Sequence, residues 1–169
     1  SNDSMMAALE NVTTDDVLVV HDGVIPSRNH ADAFWNWVYK GGRAIVLLGP
    51  NSLDADGWQR WRSELEAHAA VNVQGVKSLS HGRLSVCTSL MAPPSVNDVG
   101  ARGRNGPFVV SGPTIARLAQ LDFPRDQKGV QTLAVAGPED APLAVSLPVG
   151  QGKIVISAVP LSLVDGVDE

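Results

Sequence analysis

The chain has 169 residues, 44% hydrophobic and 18% charged. At ~150 residues per domain this is one domain with a full core, and the composition excludes a disordered chain. A balance of 13 basic against 18 acidic residues gives a net charge of −5, so nucleic-acid binding is excluded as the main role. No apolar run approaches the ~18 residues of a membrane span, so no direct membrane insertion is expected.

Residues 1–160 are read as a single domain and 161–169 as an acidic, frayed tail. The first residues lack a basic stretch followed by an apolar one, so no signal peptide is expected there. Asp15 and Asp16 precede Val17-Leu18-Val19-Val20-His21. This continuous β-branched run predicts a strand buried on both faces, as in a parallel sheet. Asp22-Gly23 breaks it. Ser27 or Asn29 can cap a helix running to about Lys40, in which Phe34, Trp37 and Val38 form one apolar stripe that Trp35 widens. Gly41 is placed to take the left-handed position that stops the helix.

Ala44-Ile45-Val46-Leu47-Leu48 predicts a second buried strand, and Gly49-Pro50-Asn51-Ser52 a loop. Asp54 or Asp56 can cap a helix through about Ala69, with Trp58, Trp61 and Leu65 on one stripe. Two strands, each followed by a helix, predict a right-handed parallel unit. Shorter strands follow at 71–73 and 83–87, around a turn at Ser80-His81-Gly82. The segment 92–107 is a long loop rich in Gly, Pro and Asn, and Phe108-Val109-Val110 reads as a short strand. Ser111 can cap a helix with Pro113 in its first turn and Ile115, Leu118 and Ala119 facing inward. Strands at 132–135 and 143–147 follow, and the turn Val149-Gly150-Gln151-Gly152 closes a hairpin with 153–158. The expected fold class is α/β: a three-layer sandwich with a mainly parallel sheet and a C-terminal antiparallel hairpin.

Chemical motifs are sparse. Gly100-Ala101-Arg102-Gly103-Arg104-Asn105-Gly106 places two arginines among exposed backbone N–H groups, which suits either a mobile linker or an anion-binding loop. The spacing differs from the dinucleotide pattern, so the linker reading carries more weight. Gly150-Gln151-Gly152-Lys153 is followed by Ile154 inside a strand, so it is a hairpin turn and not a phosphate loop. Cys87, the single cysteine, has strand neighbours and reads as a buried structural residue. It also excludes an intrachain disulfide framework. His21, His30, His68 and His81 form no paired metal-ligand spacing, so no metal or cofactor is expected. His21 and Asp22 lie at the C-terminal end of a presumed parallel strand, where open α/β sheets place ligands. With Asn51 and Ser52 they form the candidate ligand edge.

Two stretches resemble a known family. Asp16-Val17-Leu18-Val19-Val20, followed by Trp37-Val38-Tyr39-Lys40-Gly41-Gly42-Arg43-Ala44-Ile45-Val46-Leu47, resembles a run of glutamine-amidotransferase-like domains. Pro142-Leu143-Ala144 to Gly150-Gln151-Gly152-Lys153-Ile154-Val155-Ile156-Ser157 resembles their later hairpin. The likeness is greatest to an uncharacterised domain family of bacterial membrane-anchored proteins. The trimerisation domain of some beta-galactosidases and trehalose-utilisation-type domains look similar too. The resemblance implies a flavodoxin-like fold and an extracytoplasmic or cell-envelope setting. Active members place a cysteine in a tight glycine-flanked elbow and complete it with a downstream His-x-Glu pair. Here the corresponding loop is Gly49-Pro50-Asn51-Ser52, and no such pair follows.

The expected function is therefore a non-catalytic module of a larger protein, binding a protein partner or small ligand at His21, Asp22, Asn51 and Ser52, with Arg102 and Arg104 as an anion loop. The alternatives are an oligomerisation module, or a hydrolase using Ser52, His21 and Asp22. A nucleophile needs its base within roughly 3 Å, and adjacent extended residues such as His21 and Asp22 point to opposite faces.

Overall fold

The structure is a computed structural model that describes residues 2–21, 28–49, 58–79, 84–86, 108–109, 117–136 and 140–158. Three helices and nine strands fall in them. They are α1 (Asn2–Asn11), β1 (Val17–Val20), α2 (Arg28–Tyr39), β2 (Arg43–Leu47), α3 (Trp58–Ala69), β3 (Asn72–Ser78), β4 (Leu84–Val86), β5 (Phe108–Val109), β6 (Arg117–Asp122), β7 (Gln131–Ala136), β8 (Ala141–Val149) and β9 (Gly152–Ser157).

Seven strands form one sheet in the order β1-β2-β9-β8-β7-β4-β5, and β3 and β6 pair separately. Only β1–β2 and β2–β9 are parallel, while β9–β8, β8–β7, β7–β4 and β4–β5 are antiparallel. The fold is thus mainly β around a mixed sheet, which corrects the expected three-layer sandwich and its mainly parallel sheet. The physical reason lies in β9. It returns from the β8 hairpin to fill the place beside β2, so the parallel run ends after three strands.

The register brings Leu18, Ala44, Ile154 and Leu147 into one row and Val20, Val46, Ile156 and Val145 into the next. Val20, Ala44, Val46, Ile154, Ile156, Val145 and Leu147 are all buried. Helix α2 packs on β9 and α3 on β8. Helix α2 buries Ala31, Phe34, Trp35 and Val38, while Trp37, expected on the stripe with Phe34 and Val38, is only partly buried; α3 buries Leu65 completely. Gly41 ends α2 with φ +115°, and the Gly42 N–H closes back on Trp37 O at 3.1 Å. The hairpin is locked to that helix end through the backbone. Gln151 N–H donates to Tyr39 O and Lys153 N–H to Gly42 O, both at 3.1 Å.

Three further expectations change. Leu118 and Ala119 lie in strand β6 and not in a helix, because Ala119 N–H donates to Ala158 O at 2.8 Å and the segment pairs with β3. The strands expected at 71–73 and 83–87, on either side of the turn at 80–82, are found as β3 and β4 but are not neighbours; β3 pairs with β6, and β4 pairs with β5 and β7. Strand β1 is buried on one face only, since Val17 and Val19 are 51% and 53% exposed. Among the described residues, no helix is long and apolar enough to cross a membrane.

Candidate functional site

His21 follows β1 directly and is exposed, at the sheet end where it was expected. Leu48 and Gly49 follow β2 and are buried beside it, with Leu48 N–H donating to Ser157 O at 2.9 Å. Asp22, Asn51, Ser52, Arg102, Arg104 and Cys87 lie outside the described residues. Of the expected ligand edge and anion loop, the structure therefore places only His21. Among the described residues, no group of three His, Cys, Asp or Glu side chains is arranged to hold a metal.

Two other features stand out. The first is the outer edge of the large sheet. Strand β1 is terminal, and among the described residues no strand pairs with its outer side. Natural sheets blunt such edges with lysine, proline or a bulge. Val-Leu-Val-Val has none of these. Val19 heads a row that continues through Ile45, Val155 and Ser146. That row runs from a 53% exposed valine to a serine that is 2% exposed. The edge is also held firmly from behind. The Asp16 carboxylate accepts 2.8 Å bonds from both the N–H and the hydroxyl of Thr13. These bonds hold Asp16 below its ordinary pKa, backbone N–H first and hydroxyl second, with a smaller contribution from Arg43. Arg43 also donates to Asp15 O, and Trp37 Nε1–H donates to Thr13 O at 3.2 Å.

The second feature is an aromatic and histidine cluster between α2 and α3. His68 stacks on Trp35 with ring centroids 4.6 Å apart and planes at 20°. Its Nδ1 lies 3.0 Å from the Tyr39 hydroxyl, and its Nε2 lies 3.3 Å from Glu64 Oε2. Two i,i+4 pairs build the cluster: Trp35 and Tyr39 on α2, Glu64 and His68 on α3. That spacing is present in the sequence, but which helix faces meet is set by how the two helices pack on β9 and β8. A shallow pocket of about 150 Å³ lies elsewhere, lined by Lys77, Gln120, Arg125 and Asp140 over Leu118 and Leu121. Lys77, Arg125 and the Asp140 carboxylate share its lining, and Arg125 covers the Phe123 ring at 5.6 Å.

No family model matches the chain, and no curated protein matches it in sequence. The fold itself recurs among solved structures. A cytoplasmic protein of Salmonella typhimurium is similar with a TM-score of 0.56 and 13% identity, over 92% of this chain and 63% of that one. The mmIFT52 N-terminal domain is similar with a TM-score of 0.53 and 14% identity, over 97% and 81%. A beta-galactosidase of Bacillus circulans sp. alkalophilus is similar with a TM-score of 0.51 and 13% identity, over 85% of this chain and 20% of the enzyme. At such identities the likeness is one of fold. The chain spans about a fifth of the beta-galactosidase and under two thirds of the Salmonella protein. None of these three is titled a glutamine amidotransferase.

Proposed function

We propose that the chain is a non-catalytic module that self-associates by pairing the free edge of β1 with β1 of a second copy, within a larger protein. The observation that carries this reading is an edge strand with which no strand among the described residues pairs on its outer side, and which has two valines over half exposed. The larger-protein setting is supported by the recurrence of this fold as a fifth of a beta-galactosidase chain.

The strand sequence favours an antiparallel partner. Asp15 and Asp16 lie at its start and His21 at its end. Antiparallel pairing brings the acidic start of each strand to the histidine end of the other. Parallel pairing would set carboxylates against carboxylates, which opposes association. Centred on Leu18, the antiparallel register places each Val17 opposite Val19 of the second copy on the exposed face. Four valines then close into one patch. A half-exposed valine contributes ~1 kcal/mol on burial, so the four supply ~4 kcal/mol. Four edge hydrogen bonds add ~1 kcal/mol each. Against an association cost of ~4 kcal/mol, the net of ~4 kcal/mol gives a dissociation constant of roughly 1 mM.

Sedimentation equilibrium up to that concentration tests the reading. The wild-type mass should rise steadily with concentration, with about half of the chains dimeric at ~1 mM. Val19→Asp removes ~1 kcal/mol per copy and should weaken the dimer roughly 30-fold while leaving the fold intact. A wild-type chain that stays monomeric at ~1 mM refutes the proposal.

A further inference from the structure

Tyr39 is the chain's only tyrosine, and it is 41% exposed. It is also closely positioned. Its backbone carbonyl accepts from Gln151 N–H at 3.1 Å, and its ring lies over Gly150, where an added Cβ would meet Tyr39 Cδ1 at 2.6 Å. On the other side its hydroxyl is 3.0 Å from His68 Nδ1. The Glu64 carboxylate, 3.3 Å from Nε2, favours the tautomer with the proton on Nε2. Nδ1 is then the acceptor for the tyrosine O–H. A hydroxyl, a base within hydrogen-bond reach and a third group orienting that base form the arrangement that activates a nucleophile.

We propose that Tyr39 is an activated acceptor hydroxyl, a modification site that takes an acyl group from an activated acyl donor with His68 as its base. In the step, Tyr39 Oη attacks the acyl carbon and a new C–O bond forms. The bond from that carbon to the leaving group breaks. The hydroxyl proton passes to His68 Nδ1 and from there to the leaving group. No oxidant or reductant takes part. The imidazolium formed in passing lies against the Trp35 ring face at 4.6 Å and the Glu64 carboxylate, and both favour positive charge. Nothing in the step removes the acyl group again, so the reaction is stoichiometric and is compatible with a non-catalytic module. It uses the α2–α3 side of the molecule and does not depend on the β1 edge.

The test is acetylation of the folded chain by N-acetylimidazole, followed by intact mass and peptide mapping. With a single tyrosine, every O-acetyltyrosine released by hydroxylamine reports on Tyr39. The wild-type site should react at least ~10-fold faster than N-acetyl-tyrosine amide in the same buffer, at the low end of general-base assistance. His68→Phe, which keeps a ring against Trp35, should fall to the rate of the free amide. Glu64→Gln retains His68 and should give an intermediate rate; it decides the matter if His68→Phe does not fold. A wild-type rate equal to the free amide, or a His68→Phe or Glu64→Gln rate equal to wild type, overturns the proposal.

Discussion

A single methyl group at Gly152 tests how the C-terminal hairpin is locked to α2. A Cβ built there falls 2.1 Å from Val38 O and 2.3 Å from Gly42 O, whereas real Cβ contacts essentially never come under 3.0 Å. Both obstacles are backbone, so neither can swing aside. Gly42 O already accepts from Lys153 N–H at 3.1 Å, and Val38 O from Gly41 N–H at 3.0 Å. Relief therefore requires the end of α2 and the start of β9 to separate, and the neighbouring bond from Gln151 N–H to Tyr39 O goes with them. Overpacking costs ~1–3 kcal/mol and each lost bond ~1 kcal/mol, so Gly152→Ala should destabilise by ~3–4 kcal/mol. At ~2–4 °C per kcal/mol for a chain of this size, Tm should fall by ~10 °C. Urea and thermal unfolding followed by circular dichroism give both values. A loss below ~1 kcal/mol would show that the helix end is not locked to the hairpin as described.

Two further substitutions probe the same framework. Ala70 follows α3 with φ +54°, and Val71 N–H reaches back to Leu65 O at 3.3 Å, so an alanine occupies the left-handed stop position. Ala70→Gly should stabilise by ~1 kcal/mol and raise the urea midpoint, and an unchanged midpoint would contradict the strain. Leu65 is fully buried between α3 and the sheet, so Leu65→Ala should cost ~2–5 kcal/mol by the same measurement.

What the sequence revealed, and where it misled, follows from how far each signal travels along the chain. The α2 stripe and the stop at Gly41 were largely legible because both are local: Phe34 and Val38 repeat at helical spacing and the left-handed turn needs one glycine, although Trp35 and not Trp37 is the tryptophan fully buried with them. Strand β6 was not legible. Leu118, Ala119 and Leu121 are all buried, a pattern that neither strand alternation nor helical spacing matches cleanly, and pairing with β3 decided it. The run Val17–Val20 announced a strand but not its place in the sheet. A terminal strand and a central one can share such a sequence, and only the arrival of β9 beside β2 leaves β1 outermost. The Tyr39–His68–Glu64 contact is a tertiary event: each i,i+4 pair was readable, but their meeting was not. Of the candidate ligand edge, the described residues include His21 alone.

The turn before β1 links the edge to pH. Its backbone is fixed by two bonds from Thr13 to Asp16, by Arg43 on Asp15 O and by Trp37 on Thr13 O. A strand already ordered loses less freedom on pairing, so these bonds favour association without touching the partner. The Asp16 pKa is depressed in the folded chain, below the ordinary aspartate value of 3.8. Its contribution is therefore present above that value and is lost as pH falls through the folded pKa. Asp16→Asn should remove the contribution at neutral pH, lowering stability slightly and weakening self-association with Val17 and Val19 unchanged. The difference between variant and wild type should vanish once the medium is acidic enough to protonate Asp16. A difference that persists through that range would mean the carboxylate charge is not what holds the turn. An Asp16→Asn dimer as tight as wild type at neutral pH would mean the turn does not present the edge.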